Sequence, residues 1–276
     1  MTMCAPRRRV ALVTGSSRGI GRATLLALAS DHDVAVHYRR QADQAKETAV
    51  LARALGARVI VIKAELEDEV ELRQLVGTAV AEFGRIDTFV ASAASGAFLP
   101  ITHSKHHHVT RTFATIVTGF TDLVRAILPD MPDGGRIVVV SGGDSRFAVA
   151  DHGLIGAAKA ALESLVRNLA VELGPRGITV NSVVPGSVET DSMKYAIDHA
   201  PEGYAEAILR SIPLGRHGRP EDVAAMIAFL CSASAAYVTG ASLTIDGGVS
   251  AGGGPWVALQ SDSLTSKLAK VDPGGV

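Results

Sequence analysis

Arg9-Val10-Ala11-Leu12-Val13-Thr14-Gly15-Ser16-Ser17-Arg18-Gly19-Ile20-Gly21 carries a short apolar run straight into a glycine-rich turn, and an alanine-rich segment follows. The run has the composition of a buried strand, and the segment after it has the spacing of a helix. Glycines at such a junction permit a tight turn and let backbone N–H groups, with the helix N-terminus, approach a pyrophosphate. An ordinary strand-to-helix turn is the plainer reading. Its position at the first such junction of the chain favours a nucleotide site instead.

Outward from this junction the same alternation recurs. Apolar, β-branched runs at Arg9–Val13, Val34–His37, Val59–Ile62, Ile86–Val90, Arg136–Val140, Thr179–Val183 and Ser242–Ile245 predict seven strands. Between them lie segments of helical spacing at Gly19–Ser30, Ala42–Leu55, Glu67–Phe83, Ser104–Leu128, His152–Leu173 and Pro220–Cys231. Parallel strands need crossovers, and crossovers are right-handed. The pattern therefore predicts an α/β fold, a doubly wound Rossmann sheet of seven parallel strands flanked by helices, with ligands at the carboxyl ends of the strands. In this reading residues 1–248 form one domain, 187–219 a flap over the site, and 249–276 a Gly-rich tail.

Composition narrows the function. Hydrophobic residues make up 47% and aromatics only 4%, so the interior must be built from Ala, Val, Leu and Ile, as suits strands covered on both faces. The 27 basic and 28 acidic side chains nearly cancel, which leaves no electrostatic basis for nonspecific nucleic-acid binding and points to a small-molecule partner. Cys4 and Cys231 are too few and too far apart for a disulfide framework or a zinc site, as fits a reducing cytoplasm. No stretch has the length and apolarity of a membrane span or a signal-peptide core, so a cytoplasmic location is expected. His103 and His106-His107-His108 invite a metal reading. Adjacent histidines on a helix diverge and only His103 and His107 have i,i+4 spacing, so a solvated helix start is preferred and no metal is expected.

The leading Thr14 and the Gly-x-x-x-Gly-x-Gly spacing resemble the short-chain dehydrogenase/reductase (SDR) family. The resemblance runs to about Gly248. Lys159 lies in Gly156-Ala157-Ala158-Lys159-Ala160-Ala161-Leu162, Asn181 opens Asn181-Ser182-Val183-Val184-Pro185-Gly186, and Asp246-Gly247-Gly248 follows the last strand. It implies a dinucleotide held by Gly15, Ser17, Arg18, Gly19, Ile20 and Gly21, with Glu65 and Leu66 beside the adenine and Ser92 and Ala93 at the fourth strand. Lys159 would bind the nicotinamide ribose, and Pro185, Gly186, Val188 and Thr190 would lie toward the carboxamide. Which cofactor is bound is argued from the residues themselves. The second strand ends His37-Tyr38-Arg39-Arg40, with no carboxylate to accept the ribose hydroxyls of NAD. Arg39 and Arg40, with Arg18, suit a 2′-phosphate, which predicts NADP(H); the alternative is that they are solvated surface arginines.

Hydride transfer leaves negative charge on an oxygen, and a donor must meet it. The resemblance places the family's Tyr at Ile155, its Ser at Gly142 beside Ser141, and its Asn at Ile116, none of which can donate a side-chain proton. One branch of the family, the enoyl-thioester reductases similar to enoyl-acyl-carrier-protein reductase III and cyclohexenylcarbonyl-CoA reductase, carries its Tyr seven residues before the lysine. Ala93-Ala94-Ser95-Gly96-Ala97-Phe98 and Thr190-Asp191-Ser192-Met193 resemble that branch, and His152 stands at the seventh position. Imidazole is a suitable donor near neutrality, and Asp151 beside it is expected to support it. Alternatively His152 is a polar residue at a helix start without a chemical role. Tyr195 and Tyr204 on the flap, and the hydroxyls of Ser141 and Ser145, remain open as donors.

Three functions are compatible with these residues. The first is an NADP(H)-dependent reductase of an enoyl thioester or related carbonyl compound in acyl, polyketide or other specialised metabolism. The second is a non-redox cyclase, isomerase or dehydratase on the same scaffold. The third is a catalytically silent NADP(H)-binding subunit. Small residues Ala157, Ala160, Ala161 and Ser164 on the fifth helix, through which related proteins pair, predict a homo-oligomer, expected to be a tetramer.

Overall fold

The computed structural model describes residues 8–96, 98–198 and 202–252. Strands β1 (Arg9–Thr14), β2 (His32–Tyr38), β3 (Val59–Lys63), β4 (Thr88–Ala91), β5 (Arg136–Val140), β6 (Thr179–Pro185) and β7 (Ser242–Ile245) form one sheet. Its order is β3-β2-β1-β4-β5-β6-β7, and every neighbouring pair is parallel. The direction of winding reverses between β1 and β4, so a crevice opens at the carboxyl ends of those two strands.

Successive side chains of a strand point to opposite faces, and two cores result. Ala11 and Val13 of β1 pack with Leu25 and Leu28 of α1 (Gly19–Leu28), Ala45 and Ala49 of α2 (Ala42–Ala54), and Val223 and Ile227 of α9 (Pro220–Cys231). Val10 and Leu12 pack on the other face with Leu72 and Leu75 of α3 (Glu69–Phe83), Leu123 and Ile127 of α5 (Gly119–Ile127), and Leu162 and Val166 of α6 (Gly153–Leu173). Each of these Leu, Ile and Val side chains contributes about 1.5–3 kcal/mol by leaving water, and the alanines less.

The expected helix Ser104–Leu128 is corrected by the structure. It is three pieces: α4 (His106–Phe113), a π-helical turn at Ala114–Thr118, and α5. Gly119 lies so close to the loop after β3 that a Cβ there would collide with the Leu66 carbonyl oxygen. The π turn holds Ile116 in the core, and such turns concentrate at functional sites. His103 belongs to a separate short turn, Ile101–His103, so its helical spacing to His107 does not exist. The segment 187–219 is not a plain loop, because it forms α7 (Asp191–Asp198) and α8 (Tyr204–Ser211). The fourth strand starts at Thr88 rather than Ile86, whose N–H donates away from the sheet to the Asp130 carbonyl at 3.2 Å, while the Asp87 carboxylate accepts the Val10 N–H at 2.9 Å and is held by Arg85. Cys4, Ala97, Pro201 and most of the tail lie outside the described residues. No helix among those described is long and apolar enough to cross a membrane.

Candidate active site

At the crevice, backbone meets backbone. Gly15 has φ +68°, and a Cβ on it would lie 2.9 Å from Ala93 Cα. Only a glycine fits both the angle and the approach. The Thr14 hydroxyl, at the end of β1, accepts the N–H groups of Ser92 and Ala93 at 3.2 and 3.3 Å and ties the β4 end to the turn. His37 secures the turn from the other side. Its Nδ1 accepts the Gly15 N–H at 3.0 Å, so Nε2 carries the proton and donates to the Ala64 carbonyl at 3.1 Å. Burial lowers the imidazole to about 4, against the opposing pull of the Ala64 carbonyl and Glu65, and His37 is neutral.

The helix after this turn, α1, receives no cap from the Arg18 side chain, an arrangement that an anion completes. Gly15, Ser17, Gly19, Ile20 and Gly21 lie together at this glycine turn and helix start, and a Cβ on Gly21 would collide with the Gly15 carbonyl oxygen. The arginines are more dispersed than their sequence positions suggest. Arg39 Nε donates to Glu65 at 2.6 Å, with Glu67 3.9 Å from the same guanidinium, while Arg40 is exposed. Arg18 reaches across to Asp191 at the start of α7, 2.7 Å away. Leu66 is buried, Val188 is buried and bridges to Gly218, and Thr190 lies beside Gly19, where a Cβ would be 3.5 Å from its methyl group. Pro185 ends β6, where Gly186 passes close to Asp246.

The other end of the crevice centres on α6. Lys159 is buried and donates to the Val140 carbonyl. Burial lowers its amine to about 8, partly offset by the carboxylates of Asp144 and Glu163. Ile155 is also buried and packs on Gly96, where a Cβ would lie 2.5 Å from Ile155 Cγ1. His152 precedes α6. Its Nδ1 is 3.2 Å from Asp144 Oδ2, and the Phe98 ring meets it edge-on at 4.9 Å. Tyr195 follows, its ring 6.2 Å from Phe98.

The carboxylate beside His152 is therefore Asp144, not Asp151. Asp151 takes φ +62°, leaves its side chain exposed and uses its carbonyl to accept the Leu99 N–H at 3.0 Å. That bond joins the Phe98 loop to the His152 loop. The serine candidates are engaged elsewhere. Ser141 and Ser145 both donate to Glu163 Oε1, at 2.6 and 2.5 Å, and Arg146 holds Oε2 at 3.1 Å. Burial pushes Glu163 upward, but these bonds outweigh it and keep the carboxyl below its ordinary value. Sequence reasoning missed Asp144, Glu163, Arg146 and His37; the sole signal was a run of small residues, Gly142-Gly143, beside an acid.

Comparison with known proteins agrees with this architecture. A family model described as Enoyl-(Acyl carrier protein) reductase matches residues 15–250. The chain is 36% identical over 261 residues to the 1-cyclohexenylcarbonyl-CoA reductase of Streptomyces collinus, covering 94% of this chain and 93% of that protein. It is 34% identical over 251 residues to a 3-oxoacyl-[acyl-carrier-protein] reductase of Synechocystis, covering 90% and 99%. A short-chain dehydrogenase from Burkholderia cenocepacia, solved in complex with NADP, superposes with a TM-score of 0.81 at 36% identity, covering 88% and 98%. With the sheet order, the glycine turn and the buried lysine in place, these matches identify the chain as a member of the short-chain dehydrogenase/reductase family of oxidoreductases.

Proposed function

We propose that this protein is a cytoplasmic, NADP(H)-dependent reductase of an enoyl thioester or a closely related conjugated carbonyl compound, with His152 as its proton donor. Residues 1–248 act as one domain in this reading, with 187–219 covering the thioester end. One observation carries it: an imidazole rests on a carboxylate at the mouth of the crevice, one helix start away from a buried lysine, with an aromatic ring against it. The names of the Streptomyces reductase and of the NADP-bound Burkholderia protein support the substrate class and the cofactor.

When bound, the nicotinamide nucleotide supplies a hydride to the substrate. The protein's own groups do the rest. The glycine turn and α1 would hold the phosphates, and Arg40, with Arg18 and Arg39 turning from Asp191 and Glu65, would supply positive charge for a 2′-phosphate. Lys159, on the nicotinamide side, contributes a positive field to developing oxyanion charge at neutral pH. His152 hydrogen-bonds that oxygen and delivers the proton. Phe98, against the His152 ring, presents apolar surface at this end of the site.

A second reading, a non-redox conversion on the same scaffold, draws on the commitment of both serine hydroxyls to Glu163 and the burial of Ile155. One experiment separates the two. Crotonyl-CoA should be reduced with loss of NADPH absorbance, and His152→Phe should lower that rate about a hundred- to a thousandfold. Fluorescence titration should show NADPH binding unchanged in the variant and tighter than NADH. Brisk ketone reduction undiminished in His152→Phe would sink the assignment of His152 and the enoyl-thioester substrate, and product formed without NADPH oxidation would sink the reductase reading.

A further inference from the structure

Gly142 and Gly156 flank the turn that carries Asp144. A Cβ on Gly142 would lie 2.5 Å from Asp144 Oδ1, and one on Gly156 would collide with the Asp144 carbonyl oxygen. The carboxylate thus fills the space beside one glycine while its own backbone presses on the other. Its side chain is 10% exposed, against 26% for His152. The turn is clamped from behind, because Ser145 and Arg146, the two residues after Asp144, both bond Glu163 of α6. Asp144 is therefore fixed in position from three directions, and its free function is the contact with His152 Nδ1.

We propose that Asp144 is a positioning residue that fixes the protonation site of His152, so that Nε2 alone faces the substrate. An ionised carboxylate only accepts, so Nδ1 must carry a proton. Nε2 is then a lone pair in the neutral ring and an N–H in the charged ring. In reduction the hydride adds to the β-carbon, the Nε2 proton passes to the resulting enolate, and the ring is left neutral with Nδ1–H on Asp144 until solvent recharges it. The reverse reaction uses the same Nε2 as base. This inference rests on His152 being the donor. Asp144 and Arg146 from the turn and Lys159 and Glu163 from α6 are the charged groups described on this side of the site; Asp151 is the chain neighbour, and Tyr195 approaches from α7 through Phe98.

The test is ¹⁵N NMR of the imidazoles in the full chain, with the His152 signals assigned by comparison with His152→Gln. In its neutral form the wild-type ring should be the Nδ1–H tautomer. In Asp144→Asn the amide can donate to Nδ1, and the ring should change to Nε2–H. NADPH oxidation with crotonyl-CoA should then lose at least about tenfold in kcat with KM for NADPH unchanged. Gly142→Ala, which crowds the same carboxylate, should give the same tautomer change should Asp144→Asn not fold. A wild-type ring already in the Nε2–H form, or a tautomer indifferent to Asp144, overturns the proposal even if the enzyme reduces crotonyl-CoA. A tautomer switch in a protein that oxidises no NADPH on crotonyl-CoA leaves the pair standing and removes the reductase reading.

Discussion

The imidazole of His37 ties the glycine turn to the loop after β3, and it can do so only while neutral, because a charged ring has no lone pair for the Gly15 N–H. Its folded value of about 4 lies below the unfolded value near 6.5, so the unfolded chain binds the extra proton first as pH falls. The stabilisation is complete above about pH 6.5 and is lost progressively toward pH 4. Over that window the loss should approach about 3 kcal/mol, since each pH unit separating the folded and unfolded values is worth roughly 1.4 kcal/mol. Urea unfolding at pH 7.5 and pH 5 should show it, and His37→Phe should flatten that part of the pH dependence. A wild-type stability independent of pH over this range would contradict the assignment. Lys159 is also lowered by burial, so its charge costs stability below about pH 8, a cost that is relieved between there and its unfolded value near 10.5.

Among the elements, β5, β7 and α9 have the limits expected from sequence, because their apolar runs are bounded by residues that cannot continue them. The break between α4 and α5 was hidden. Thr115, Ile116, Phe120 and Leu123 all stay buried through it, so the apolar spacing shows no interruption. Its visible constraint is a distant one, the approach of Gly119 to the Leu66 carbonyl, which no local pattern encodes. The site was hidden for a similar reason. Asp144 is eight residues from His152 and Asp151 is one, yet backbone conformation turns the nearer carboxylate away. Glu163 is buried under two serines and an arginine that lie 17 or more residues away in the chain, beyond the reach of any local pattern. Gly119→Ala tests the element. Helix propensity favours alanine by about 1 kcal/mol, but a methyl group against a backbone oxygen should reverse the sign and destabilise by about 1–3 kcal/mol in chemical denaturation.

At the scale of the molecule, α6 presents Ala157, Ala160 and Ser164 to solvent, whereas Ala158 packs on the sheet. The small residues are therefore available for close approach by a second helix, and we propose that subunits pair there into a tetramer. Light scattering at micromolar concentration should give the tetramer mass, and Ala160→Arg should lower it; a monomeric wild type would refute the pairing. Around the crevice the glycines share another property. Ile155 fills the place beside Gly96, Ile101 the place beside Gly153, and Asp144 the places beside Gly142 and Gly156. The consequence is a graded tolerance. Bulk at position 142 meets only the end of the Asp144 side chain, which can swing aside and leave His152, whereas bulk at position 156 meets the Asp144 backbone, which cannot. A larger residue is therefore accepted at 142 at the expense of the contact between Asp144 and His152, and refused at 156.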